Sequence, residues 1–308
     1  MAPAVVTAGR CDARRSRSVG VVTVDVDTFE SHRAHLLRVG YRITGSRSDA
    51  EDAVQEAWLR FAAQDPATID EPRAWLTTVV GRLCLDRLRS AAARRERYVG
   101  PWLPEPLVTT PADDDPLAEV VRDEGVRMAA MVVLERLTPP QRVALVLHEA
   151  LDLPFARIAE VLDCSEATAR QHASRARRVV AEADVPPPAS SAEQLAVLQA
   201  FADALARADT DGIVALLHPD VVLLADSDGR VSAARRPIVG PADVARLFLG
   251  LLRKYGDGLL ADWEPILVNG EPGVRTPAVG TAPASVAVLS VTDGRIRAMY
   301  QVVNPDKL

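Results

Sequence analysis

Prolines decide what this chain can fold into. Five fall within 100–116 (GPWLPEPLVTTPADDDP) and three stand in a row within 184–192 (DVPPPASSA). In a helix interior each proline removes a hydrogen bond and adds a clash, so both stretches read as extended linkers. They divide the 308 residues into a leader at 1–23, an all-helical piece at 24–99, a second all-helical piece at 117–183, and a mixed piece at 193–308. Length alone suggests about two domains; the prolines make three.

The leader carries Arg10, Arg14, Arg15 and Arg17 with no apolar run behind them, which disfavours a secretory signal and fits a disordered segment or a misassigned start. No stretch of about 18 apolar residues occurs, so a membrane partner is not expected. Cys11, Cys84 and Cys164 lie far apart, without the spacing of a disulfide framework or a zinc site. A reducing cytoplasm fits best. There is no phosphate-cradling glycine loop or nucleophile elbow, and no catalytic residue, metal or cofactor is expected.

In the first piece, Ser48-Asp49-Ala50-Glu51 reads as a capping box. The helix behind it buries Ala50, Ala53, Val54, Ala57, Trp58 and Phe61 at helical spacing and shows Asp49, Asp52, Gln55 and Glu56 on its other face. After the breaker-rich stretch Gln64–Pro72 comes a helix whose stripe is Trp75, Leu76, Val79, Val80, Leu83 and Leu88, with arginines around it.

The second piece holds a helix-turn-helix pattern. Phe155, Ile158, Ala159 and Leu162 make a short amphipathic helix, Asp163-Cys164-Ser165 turn the chain, and Ser165 caps a helix to about Val180. Ala169, Ala173, Ala176 and Val180 pack inward. Thr168, Arg170, Gln171, Ser174, Arg175 and Arg178 face out, and Arg and Gln are the side chains that reach guanine and adenine edges in a major groove. The third piece starts with an amphipathic helix (Leu195, Leu198, Phe201, Leu205) and a short helix ending at His218-Pro219. Apolar alternating runs follow at Val221–Ala225, Trp263–Val268, Ser285–Val291 and Arg295–Val303, with a helix at Ala242–Tyr255 and a turn at Asp293-Gly294. The expectation is an α+β cone or open barrel with a meandering antiparallel sheet around a cavity.

The net charge of −6 speaks against a nucleic-acid partner only until it is divided. Residues 82–98 hold six arginines against two acids, 170–178 hold four arginines against none, and 101–116 hold four acids and no base. The acidic sum hides two basic patches.

Taken in order, these features resemble a known family. The acidic helix Asp49–Phe61, the arginine-rich helix from Ala74-Trp75-Leu76 through Leu85-Asp86-Arg87-Leu88-Arg89, and the helix-turn-helix ending Ser174-Arg175-Ala176-Arg177 are similar to regions two and four of an extracytoplasmic-function sigma factor of the sigma-70 family. The third piece resembles a SnoaL-like domain. A sigma-J-like subgroup carries such a domain at the C-terminus, with WLPEP in the central linker and NPDKL at the end of the chain. Here these stand as Trp102-Leu103-Pro104-Glu105-Pro106 and Asn304-Pro305-Asp306-Lys307-Leu308. The subgroup's DGGGK loop stands as Asp226-Ser227-Asp228-Gly229-Arg230, with two glycines replaced.

The resemblance implies two all-α sigma domains followed by a SnoaL-like regulatory domain, and a factor that directs core RNA polymerase to promoters. Asp49, Asp52, Gln55 and Glu56 would meet the clamp of the β′ subunit. Arg82, Arg87, Arg89 and Arg94 would hold the −10 strand, with Arg95 and Arg97 behind them. Thr168, Arg170, Gln171, Ser174, Arg175 and Arg178 would read the −35 element. Trp102-Leu103 in a solvated linker should dock on something, with the C-terminal tail as the expected neighbour. The third domain would then act in place of a separate anti-sigma factor through WLPEP, Asp226, Asp228 and NPDKL. Its cavity could also take a small ligand. Two rivals stay open: an enzyme using His218, Asp220 or Asp226 as acid or base, and a ligand-sensing repressor that uses only the helix-turn-helix.

Overall fold

The computed structural model describes residues 26–65, 68–95, 98–109, 124–149, 151–183, 185, 187–256, 260 and 262–308. The leader, with Cys11, therefore lies outside the described residues, as does Arg97. The side chains of Arg94 and Arg95 are outside them too.

Three helices come first: α1 (Val26–Thr44), α2 (Arg47–Ala62) and α3 (Pro72–Arg95). The capping residue of α2 is Ser46, whose hydroxyl accepts the Asp49 N–H. The box expected at Ser48 thus starts two residues early, and Ser48 sits in the first turn with its hydroxyl 3.0 Å from that of Ser46. Gly45 joins α1 to α2 at φ +70, and a Cβ there would lie 2.9 Å from the Trp102 ring, so both backbone conformation and linker contact require glycine.

Helices α4 (Met128–Leu134), α5 (Pro139–Glu149), α6 (Phe155–Leu162) and α7 (Glu166–Glu182) follow. The two helical pieces do not keep separate cores. One cluster of buried residues runs from Phe29 and Leu36 through Leu76, Val80 and Leu88 to Val143, Leu147, Ile158 and Ala176. At Gly81 a Cβ would sit 3.3 Å from Leu147 and 3.4 Å from Val161. The α3 stripe is correspondingly wider than one face predicts, with Thr77, Thr78, Cys84 and Leu85 also buried.

The third piece has helices α8 (Ser191–Ala206), α9 (Thr210–Leu216) and α10 (Pro241–Tyr255) on a seven-stranded sheet. Its strands are β1 (Val108–Thr109), β2 (Leu217–Asp226), β3 (Ile238–Val239), β4 (Glu264–Val268), β5 (Glu271–Thr276), β6 (Ser285–Thr292) and β7 (Arg295–Val302), in the order β1-β4-β5-β6-β7-β2-β3. Three expectations change. The sheet is not wholly antiparallel, because β2 runs parallel to β7. His218-Pro219 lies on β2 rather than at a helix end. The central linker is more than a connector: Val108 and Thr109 pair with Val268 and Leu267 and supply an edge strand.

Two-residue turns at Asn269-Gly270 and Asp293-Gly294, with positive φ at both positions, close the hairpins, as the right-handed twist of paired strands favours. Strand β5 escapes a sequence reading because Glu271-Pro272-Gly273 looks like a breaker. Gly273 is needed there, since a Cβ would stand 2.6 Å from the Ala287 carbonyl oxygen. Helices α8 to α10 cover one sheet face around Phe201, Leu205, Leu223 and Met299. Met128 and Val132 of α4 cover the other, against Ile266, Val268, Val286 and Val288.

Candidate nucleic-acid and interdomain interface

The recognition-type helix α7 is built as its sequence requires. Ser165 accepts the Thr168 N–H at 3.2 Å and its hydroxyl meets that of Thr168 at 2.8 Å, which draws Thr168 into the cap. Ala169, Ala173 and Ala176 are buried, while Arg170, Gln171, Ser174, Arg175 and Arg178 are exposed. Arg170 pairs with Glu166 one turn back and lies 5.2 Å over the Phe155 ring. Arg178 stands 3.6 Å from Glu182, and Arg177 2.6 Å from Glu149. Exposed pairs of this kind are worth little and exchange readily for phosphate.

The first helical piece divides its expected residues. Asp52 and Gln55 are exposed on α2, and Glu56 is paired with Arg60 at 2.5 Å. Asp49 is half-buried and stands 3.8 Å from Arg87 of α3, so a residue assigned to polymerase and one assigned to the −10 strand face each other. Arg89 is exposed beside Asp86. Arg82 donates to the Glu160 carbonyl of α6 at 2.9 Å, which ties α3 to the helix-turn-helix. One exposed residue was missed: Leu59, 62% exposed on the acidic face of α2. Its position off the apolar stripe was the available signal. Trp75 is core, 6.0 Å from Phe61.

The linker and the chain end meet at a buried carboxylate. Asp226 is 0% exposed. One carboxylate oxygen accepts the Tyr98 hydroxyl, and the other accepts the Leu103 N–H at 2.7 Å and Lys307 Nζ at 2.7 Å. Lys307 Nζ also donates to the Leu103 carbonyl at 2.5 Å and lies 4.0 Å over the Trp102 ring. Asn304 donates to the Tyr98 hydroxyl at 2.9 Å. Burial first, then the bond to Asp226, pushes the Tyr98 hydroxyl well above the usual phenol range. Arg230 pairs with Asp306 at 2.6 Å. Asp228 takes φ +48, a conformation that aspartate tolerates better than most residues, and accepts the Val99 N–H at 3.3 Å. The loop without its two glycines therefore still turns.

The same linker holds the first helical piece. Glu105 accepts the Arg47 N–H at 2.9 Å and the Ser46 hydroxyl at 3.1 Å, and Tyr41 donates to its carbonyl at 2.8 Å. Pro104 and Pro106 are buried beside it. Asn269, in the β4–β5 turn, accepts the Leu107 N–H at 2.9 Å and donates to Tyr41 Oη at 2.7 Å and to the Val126 carbonyl at 2.5 Å. Arg127 pairs with Glu271 at 3.1 Å. Tyr41, Tyr98 and Asn269 went unnoticed in the sequence because nothing in their local pattern marks partners a hundred residues away. Leu308 is half exposed, and Pro305 opens the short 3-10 turn Pro305–Lys307.

The cone under α8 and α10 is nearly filled. Its cavity is about 50 Å³, against the roughly 150 Å³ that takes a benzene, which leaves no room for the small ligand expected there. Among the described residues its lining holds no Asp, Glu or His. His218 accepts the Asp220 N–H at 3.1 Å outside it, and Asp226 is bound at the linker, so the acid/base residues of the enzyme reading do not converge on the cone. No described helix is long and apolar enough to cross a membrane, and no described His, Cys, Asp and Glu cluster could hold a metal ion.

Comparison with known proteins adds the following. Residues 28–94 match the model of Sigma-70 region 2, and residues 127–179 match that of Sigma-70, region 4. The chain is 51% identical over 296 residues to the ECF RNA polymerase sigma factor SigJ of Mycobacterium tuberculosis, covering 92% of this chain and 93% of that protein. It is 33% identical over 288 residues to the probable ECF RNA polymerase sigma factor SigI of the same species, covering 91% and 93%. The crystal structure of the M. tuberculosis extracytoplasmic function sigma factor SigJ superposes with a TM-score of 0.77 at 47% identity, over 92% of this chain and 98% of that one.

Proposed function

The chain belongs to the extracytoplasmic-function sigma factors of the sigma-70 family, which direct transcription initiation, and from that premise we propose that its C-terminal domain restrains it in cis. The helical halves bind core RNA polymerase and promoter DNA in the cytoplasm. The finer assignment is that Asp52, Gln55 and Glu56, with Leu59 between them, meet the clamp of the β′ subunit; Arg82 and Arg89 hold the −10 strand; Arg170 and Gln171 reach −35 base edges; and Arg175 and Arg178 hold phosphates. Arg87 takes a different part, positioning Asp49 from α3.

One observation carries the restraint: both halves share a single buried core, and at its surface the exposed Arg82 donates one bond across the seam to the Glu160 carbonyl, 2.9 Å away. The −10 and −35 elements are about 25 base pairs apart, or about 85 Å at roughly 3.4 Å per pair. Among the described residues the longest helix has 24 residues, and at about 1.5 Å per residue it spans about 36 Å. Halves in contact cannot read both elements, so the shared core must open on the polymerase. The linker holds the closed form by tying α2, through Glu105, to the C-terminal domain, through Asp226 and Lys307, at a high effective concentration.

Run-off transcription with core polymerase tests the reading, together with spin labels at the exposed positions Ser90 and Ala181. The protein should give promoter-specific transcript. Charge reversal at Asp52 and Glu56 should abolish transcript and weaken core binding, and the label separation should lengthen in holoenzyme. Unchanged core affinity would remove the clamp assignment, and an unchanged separation would remove the restraint.

A further inference from the structure

A second cavity, on the opposite sheet face from the cone, is built differently. Its volume is about 270 Å³, and it lies where the second helical piece meets the C-terminal domain: Val132 and Arg136 come from α4 and its end, Val185 from beyond α7, and Leu224, Arg297 and Tyr300 from the sheet. Apolar side chains make most of its wall. Among the described residues, the guanidiniums of Arg136 and Arg297 have no hydrogen-bond or ion-pair partner. Two guanidiniums left uncompensated at the edge of an apolar cavity present planar donors to a carboxylate.

We propose that this cavity binds an organic monoanion with an apolar body, a medium-chain or aromatic carboxylate, and that the bound anion holds the −35-reading half against the C-terminal domain. The regulatory part rests on the restraint proposed above. Tyr300 supports the choice of an anion: burial, followed by the Glu271 charge, pushes its hydroxyl up to about 12, so it stays a hydrogen-bond donor. Ser290 adds a second hydroxyl to the lining. Asp220 stands on the rim, and Glu271 is engaged by Arg127 at 3.1 Å; these acids favour a single negative charge over the two of a phosphate monoester. The volume exceeds the roughly 150 Å³ that holds a benzene, which admits a ring or a short chain.

The regulatory consequence follows from which surfaces make the wall. Arg136 moves with the helix-turn-helix half and Arg297 with the sheet, so only the docked arrangement presents both. A ligand that prefers one arrangement shifts the population toward it. The C-terminal domain is itself fixed to the first helical piece through Asn269, which donates to Tyr41 Oη, so docking the −35 half there also fixes it near the −10 half.

The test is calorimetric titration of the full chain with octanoate, with 1-octanol and acetate as separate arms. Octanoate should bind, and Arg136→Gln with Arg297→Gln should weaken octanoate about tenfold or more, as loss of charge-assisted bonds implies. Melting curves establish that the double variant is folded. With core polymerase, octanoate should lower run-off by the wild type and leave the double variant unchanged. Absence of any transcript without octanoate would be a failure of the sigma reading. Transcript that octanoate does not alter, octanoate affinity that survives the double substitution, or equal binding of 1-octanol would each overturn the present inference.

Discussion

Replacing Lys307 by methionine isolates the charge that closes the linker onto the C-terminal domain, because the apolar stem is kept. Asp226 is 0% exposed, and Lys307 Nζ is its nearest cation, at 2.7 Å. Removing one member of a buried ion pair costs about 3–5 kcal/mol, since the other charge stays behind uncompensated. Asp226 keeps the Leu103 N–H and the Tyr98 hydroxyl, which places Lys307→Met at the lower end, about 3 kcal/mol. At about 2–4 °C per kcal/mol for a chain of this size, the melting temperature should fall by roughly 6–12 °C. Asp226→Asn removes the opposite charge, and the double variant leaves neither uncompensated. Its loss should therefore be smaller than the sum of the two single losses by about 1–3 kcal/mol. Thermal unfolding of the four proteins gives the cycle. In run-off with core polymerase, Lys307→Met should make more transcript than the wild type, because the closed form is weakened. A melting temperature within about 2 °C of the wild type, or losses that simply add, would refute the reasoning.

Two further outcomes follow from the same contacts. Glu105→Ala removes the acceptor of the Arg47 N–H at the start of α2 and should cost about 0.5–2 kcal/mol, the usual worth of a cap, measured from the urea midpoint. His35, hydrogen-bonded to Thr77 at 3.1 Å, is pushed down to about 4 by burial first and then by Arg73, Arg38 and His32. Its folded value lies below the ordinary 6.5, so the unfolded chain takes up the proton first. The stability it contributes is present above pH 6.5 and is lost as pH falls toward about 4. His35→Gln should flatten that acid-side loss in urea titrations at a series of pH values, and an unaltered pH slope would contradict the assignment.

Much of the chain was legible because its signals are local. The helix-turn-helix could be read because small inward residues at Ala169, Ala173 and Ala176 and a capping Ser165 are short-range features. The strand Val221–Ala225 could be read because period-two alternation reports burial on one face, and Ser285–Val291 because an apolar run suits a strand covered on both faces. Where local pattern and tertiary demand disagree, the reading fails: β5 carries Gly273 because Ala287 leaves no room for a Cβ, and the start of α2 moves to Ser46 because Glu105 from the linker completes the cap.

The sequence by itself determined that the chain breaks at its prolines, that its acidic total conceals two arginine patches, and that these lie on helices suited to DNA. Only the tertiary structure decided what those patches do in the free protein. It turns Arg82 toward the Glu160 carbonyl, pairs Arg87 with Asp49, sets Val108-Thr109 of the linker as an edge strand, and buries Asp226 under Lys307. The physical reason is one of range. Capping, periodicity and proline geometry act within a few residues and are written in the order of the chain. Burying a charge requires partners, and here those partners are brought together only by packing residues 81 or more positions apart.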